Sequence, residues 1–162
     1  MKKPELLAPA GDMNCLKAAA RFGADAVYIG GPLLQLRAEK SAFTESEIDE
    51  AAKYLHSLDK KLYVTVNSFT KNAEIEPLKS YAKTLYSLGV DAVIVADLGA
   101  LRAIKQAEPR LEVHISTQAN CCNYSSAMAY YELGASRIVV AREMTIDEIA
   151  EMHSKIPEEL EI

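Results

Sequence analysis

Eight polar residues stand at or just after short apolar runs: Asp12, Arg37, Asn67, Asp97, Gln118, Asn120, Arg142 and Glu143. Carboxylates can exchange protons, amides can read a ligand's donors and acceptors, and arginines can hold a carboxylate or phosphate. No zinc-binding His-Glu-x-x-His, paired-cysteine spacing or Gly-x-Ser-x-Gly elbow accompanies them, so no metal ligands and no serine nucleophile are assigned. Cys15, Cys121 and Cys122 form no disulfide framework and are read as reduced thiols. Cys121 and Cys122 lack an assignable basic neighbour that would make one a nucleophile.

The elements that must position these groups repeat. Phe22-Gly-Ala-Asp-Ala-Val-Tyr-Ile-Gly30, Leu88-Gly-Val-Asp-Ala-Val-Ile-Val-Ala96 and Leu133-Gly-Ala-Ser-Arg-Ile-Val-Val-Ala141 share one pattern. In each, a glycine closes a helix in the left-handed conformation and a β-branched run follows as a buried strand. Filling in the pattern predicts strands over 5–9, 26–30, 62–67, 92–97, 112–118 and 137–142. Helices are predicted over 13–22, 45–58, 74–88, 100–107, 126–133 and 146–156, with a seventh strand beginning within 158–162. Thr44-x-x-Glu47 and Thr145-x-x-Glu148 read as capping boxes, and Asp12 as a helix cap.

Six βα units imply a parallel sheet with helices outside, an incomplete TIM-like (β/α) barrel. A whole barrel takes ~200 residues or more, so the 162 residues read as one domain, the N-terminal part of a larger barrel. An open doubly wound sheet is the rival, but its glycine fingerprint is missing after the first strand, which leads into Ala8-Pro-Ala-Gly-Asp12. In such folds ligands bind at the carboxyl ends of strands, where all eight polar residues fall. Asp12 and Asp97 serve equally well as helix caps, and Arg37 as a solvated loop cation. Alternation places Tyr63, Thr65 and Asn67, and His114, Ser116 and Gln118, in two inward rows. His114 is read as a satisfied core histidine, whereas His56 and His153 fall on helices and are read as solvated.

Composition narrows the partners. Eighteen basic residues against 23 acidic ones give a net charge of −5, which argues against a general polyanion binder. No apolar run approaches the ~20 residues of a membrane span, and the first residues make no secretory signal, so a cytoplasmic protein with no membrane partner is expected.

Several motifs together are more specific. Glu5-Leu-Leu-Ala-Pro-Ala-Gly-Asp12, Gly23-Ala-Asp-Ala-Val-Tyr-Ile-Gly-Gly31, Tyr63-Val-Thr-Val-Asn67, His114-Ile-Ser-Thr-Gln118 with Asn120, and Ala141-Arg-Glu-Met144 run in order along the chain. The chain thereby resembles the N-terminal region of the collagenase-like U-type peptidases, family thirty-two of unassigned catalytic type. The resemblance implies a TIM-like barrel and a peptidase acting on peptides. It also implies an alternative: oxygen-independent hydroxylation of tRNA or rRNA bases, or of a ubiquinone precursor. Relatives of that kind carry an iron–sulfur cluster on four cysteines. None of Cys15, Cys121 and Cys122 matches a cluster position, and Glu161-Ile162 would be the first two positions of the signature that holds it. No cofactor is therefore expected in this chain and a cluster is expected in a longer protein, with the fragment alone inactive. A family loop motif loses its glycine in Leu34-Gln-Leu-Arg37 but keeps Arg37. A third reading is a non-catalytic scaffold half-barrel. In all three, the open barrel edge is expected to pair with a second copy as a homodimer.

Overall fold

The structure is a computed structural model that describes residues 4–34 and 42–162. Strand and helix alternate: β1 (Leu7–Pro9), α1 (Met13–Arg21), β2 (Ala26–Gly30), α2 (Glu45–His56), β3 (Lys61–Val66) and α3 (Ile75–Ser87). The series continues as β4 (Ala92–Val95), α4 (Leu98–Ala107), β5 (Glu112–Ile115), α5 (Tyr124–Glu132), β6 (Arg137–Ile138) and α6 (Ile146–His153). The strands form one parallel sheet in the order β1-β2-β3-β4-β5-β6. Glu161 bridges Arg137 in parallel, as the start of a seventh strand would.

Local chemistry accounts for the joints. Gly23, Gly89 and Gly134 carry φ of +101°, +81° and +98°, the left-handed turn that lets each helix drop into the next strand. At the opposite ends, Asp12, Thr44, Asp97, Asn123 and Thr145 accept hydrogen bonds from the first turns of α1, α2, α4, α5 and α6, the two threonines as full capping boxes.

The sheet is staggered and curled. Gly30, Thr65, Ile94, His114 and Arg137 form one register row, which begins at the last residue of β2 and ends at the first of β6. That drift is the strand tilt that barrel closure requires. In a flat sheet β1 and β6 would stand roughly 24 Å apart, at about 4.8 Å per strand. Instead the Arg137 guanidinium lies 2.6 Å from the carboxylate of Glu5, just ahead of β1. The result is a curled half-barrel of six parallel strands.

Outside the curl, Val27, Ile29, Val64, Val66, Val93, Val95, Val113 and Ile115 pack on Leu16, Ile48, Leu55, Leu78, Leu85, Leu101 and Ile104 of the helices. Inside it lies a smaller group, Ala26, Tyr63 and Ala92 in the lower part with Ile94 above them.

Four strands are shorter than the sequence suggests, β1 (Leu7–Pro9) and β4 (Ala92–Val95) by two residues each. β5 ends at Ile115, because the Ser116 hydroxyl accepts the Gln118 N–H and starts a tight turn over Thr117–Ala119. β6 keeps two residues of the expected six. His56 is also not simply solvated: its Nε2 lies 3.0 Å from the Asp91 carboxylate.

Candidate functional site

At the C-terminal end of the strands lies a cavity of about 420 Å³. Its walls are Leu7, Tyr28, Ile94 and Val139, and its polar groups are Thr65, Asn67, Ser116, Thr117, Gln118 and Arg142. Leu7 comes from β1 and Val139 follows β6, so the curl brings opposite ends of the sheet to one pocket. The inward rows deliver Thr65 and Asn67 from the β3 side and Ser116 and Gln118 from the β5 side.

The polar atoms are unequally committed. Thr65 Oγ1 donates to the Ile29 carbonyl at 3.2 Å, and Thr117 Oγ1 to the Val140 carbonyl at 3.1 Å. Ser116 Oγ accepts from the Gln118 N–H at 3.3 Å. Asn67 Oδ1 is buried with no partner, an orphan acceptor of a kind that is rare without a role. Arg142 is exposed and forms no ion pair with a described residue.

The expected residues separate into groups. Asn67, Gln118 and Arg142 line the cavity together. Asp12 and Asp97 do not; each caps its helix, accepting from the Cys15 and Ala100 N–H groups at 2.8 Å. Hydrogen bonding from Cys15 holds the Asp12 carboxyl below the usual carboxylate range. Asn120 sits in the left-handed conformation behind the tight turn, exposed, and Glu143 is exposed beside Arg142; neither lines the cavity. Arg37 lies outside the described residues. Thr65 and Ser116 join the site from rows that alternation already placed inward. Tyr28 and Ile94 were hidden as ordinary apolar strand residues.

At the opposite end, Arg137 bonds Glu5 and Glu161 while the Tyr63 hydroxyl donates to Glu5 at 3.0 Å. His114, 2% exposed, stands edge-on to Tyr63 at 4.7 Å and 3.5 Å from Glu112. Burial pushes the His114 pKa down, against the pull of Glu112. A cleft of about 700 Å³ opens beside this cluster. It is larger than the upper cavity, but its arginine is already paired and it lies at the end where barrels place stability rather than ligands.

Comparison with known proteins follows the same outline. Residues 11–162 match the model of Peptidase family U32. The chain is 41% identical over 160 residues to tRNA hydroxylation protein P1 of Bacillus subtilis, covering 99% of this chain and 38% of that protein. It is 37% identical over 149 residues to the 23S rRNA 5-hydroxycytidine C2501 synthase of Escherichia coli, covering 92% of this chain and 22% of that protein. It thus spans well under half the length of these relatives. Among solved structures, the U32 peptidase Mk0906 superimposes with a TM-score of 0.75 at 18% identity, over 99% of this chain and 70% of that one, a likeness of fold.

Proposed function

The chain belongs to peptidase family U32, and from that premise we propose that the protein takes part in hydroxylating RNA bases, with this half-barrel holding the nucleotide. One observation carries the reading: 41% identity to a tRNA hydroxylation protein extends over 99% of the chain. The rRNA hydroxycytidine synthase supports it over 92%. The cavity is compatible, since flipped bases are read by hydrogen bonds and apolar walls.

Hydroxylation adds oxygen and removes electrons, chemistry that a redox group such as an iron–sulfur cluster supplies. The thiols here do not fit such a group. Cys121 is buried, with its thiol pushed up by that burial, while Cys15 and Cys122 are exposed. No three potential metal ligands converge among the described residues. The chemistry of electron transfer is therefore assigned to no residue of this chain.

The peptidase reading rests on the family's name. A peptidase nucleophile needs a base within hydrogen-bond reach. Among the described residues lining the cavity, the hydroxyls of Thr65, Ser116 and Thr117 meet only backbone groups, and no His, Cys, Asp or Glu lines it. No helix among the described residues is long and apolar enough to cross a membrane. A homodimer through the open barrel edge is part of the proposal, and a concentration-independent monomer in sedimentation would remove it.

Mass spectrometry of nucleosides from tRNA and rRNA of cells lacking the gene tests the main reading. Loss of a nucleoside one oxygen heavier than its parent, restored by the gene, is expected. Unchanged nucleosides together with digestion of casein or gelatin by the complete protein would overturn it in favour of proteolysis. Neither effect would overturn it in favour of a scaffold.

A further inference from the structure

The upper cavity has a charge and hydrogen-bond pattern that says which way round a ligand enters. Among the described residues no Asp or Glu lines this cavity, whereas one cation, Arg142, does. Arg142 is exposed and without a carboxylate partner among the described residues, so its guanidinium is free to hold an anion. The groups supplied by the strands are neutral. Ser116 Oγ already accepts, which leaves its proton to donate. Thr65 and Thr117 already donate, which leaves lone pairs to accept. Asn67 Oδ1 adds a further acceptor with no partner.

An anionic group placed among these strand residues would meet the lone pairs of Thr65, Thr117 and Asn67 without a proton to offer them. A neutral ring bearing both N–H donors and carbonyl acceptors would satisfy both kinds of atom. Its faces would lie on apolar walls that include Ile94 and Val139. The volume, about 420 Å³, is at the scale of one small ligand.

We propose that the cavity receives one unstacked nucleotide base-first, with the base edge read by Ser116, Thr65 and Asn67 and the phosphate held by Arg142. The assignment rests on the RNA reading above and adds an orientation and a division of labour to it. Arg142 recognises the charge, and the strand residues recognise the base.

The test is equilibrium binding of uridine 5′-monophosphate, uridine and inorganic phosphate to the complete protein, with thermal melts to confirm that each variant is folded. The monophosphate is expected to bind more tightly than uridine. Arg142→Gln is expected to weaken the monophosphate by about tenfold or more and to leave uridine unchanged. Ser116→Ala and Thr65→Val should weaken both ligands by similar factors. Three results would overturn the proposal: no binding of either nucleoside form to the wild-type protein, equal loss of both in Arg142→Gln, or displacement of uridine by inorganic phosphate. Nucleoside mass spectrometry separates the two levels. If hydroxylation depends on the gene while any of these three results is obtained, the orientation is wrong and the RNA reading stands. If hydroxylation does not depend on the gene, the RNA reading fails and the proposal falls with it.

Discussion

Replacing Arg137 with methionine should loosen the closure of the curled sheet, and the structure allows the loss to be sized. Arg137 and Glu5 side chains are 15% and 25% exposed, and their closest approach is 2.6 Å. Arg137 also reaches Glu161 and lies 5.6 Å from the Tyr63 ring centroid. Burial alone would raise the Glu5 pKa, but the hydrogen bond and charge of Arg137, with the Tyr63 hydroxyl, outweigh it and the net shift is downward. A fully exposed pair is worth up to ~1 kcal/mol, and breaking a buried one from one side costs ~3–5 kcal/mol. Partial burial places Arg137→Met between them, at about 2–3 kcal/mol. At roughly 2–4 °C per kcal/mol for a chain of this size, the midpoint should fall by roughly 4–12 °C. Glu5→Gln keeps a partner for Tyr63 and should cost less. The double variant should then be more stable than the sum of the two losses predicts, by roughly 1 kcal/mol. Thermal melts followed by circular dichroism at neutral pH decide it. An unchanged midpoint in Arg137→Met, or strict additivity in the double variant, would refute the coupling of β1 to β6 through this pair.

Two further expectations rest on buried groups. His114 is buried with a depressed pKa, so on acidification below about pH 6.5 the unfolded chain takes up a proton that the folded chain still refuses. Stability should therefore decline as pH falls through that range, and His114→Gln should flatten the decline in melts from neutral to mildly acidic pH; an identical slope would exclude His114 as its source. Glu5, with its lowered pKa, adds a second loss beginning nearer pH 4.5, whose sign is the same because the unfolded chain again protonates first. A Cβ on Gly31 would lie 2.0 Å from the Tyr81 hydroxyl, which is itself buried without a partner. Gly31→Ala should destabilise by ~1–3 kcal/mol, and Tyr81→Phe should stabilise by ~1 kcal/mol and relieve part of the Gly31→Ala loss; a destabilised Tyr81→Phe would mean the hydroxyl has a use.

The repeating glycine joints were legible because each is local: a left-handed residue between a helix and a β-branched run leaves its mark within nine residues. The inward rows were legible for the same reason, since a period of two needs only one strand. What was not legible depends on the chain meeting itself. Glu5 and Arg137 are 132 residues apart, and nothing near either names the other. Asp12 and Asp97 illustrate the opposite difficulty. A carboxylate at a strand end looks the same in sequence whether it faces a ligand or caps the next helix, and the backbone N–H groups of Cys15 and Ala100 claim both. β5 stops early because a serine side chain competes for a backbone N–H, a contest that strand propensity does not record.

The two inward rows run through both ends of the molecule, and position along them sorts residues by role. Tyr63 and His114 occupy the lower level, packed edge to face beside the Glu5–Arg137 pair. Two residues on, Thr65 and Ser116 reach the cavity; two further, Asn67 and Gln118 line it as well. One strand thus contributes to closure and to recognition with the same face, in keeping with barrels that separate a stabilising end from a ligand end. The levels are mechanically joined, because Leu7 on one wall and Val139 on another come from opposite ends of the sheet. Their approach depends on the curl that Arg137 fastens below. A change at the lower level that opened the sheet would therefore widen the cavity without touching it. Such a change would weaken ligand binding in proportion to the lost closure, whereas Arg142→Gln would alter binding with the melting midpoint intact.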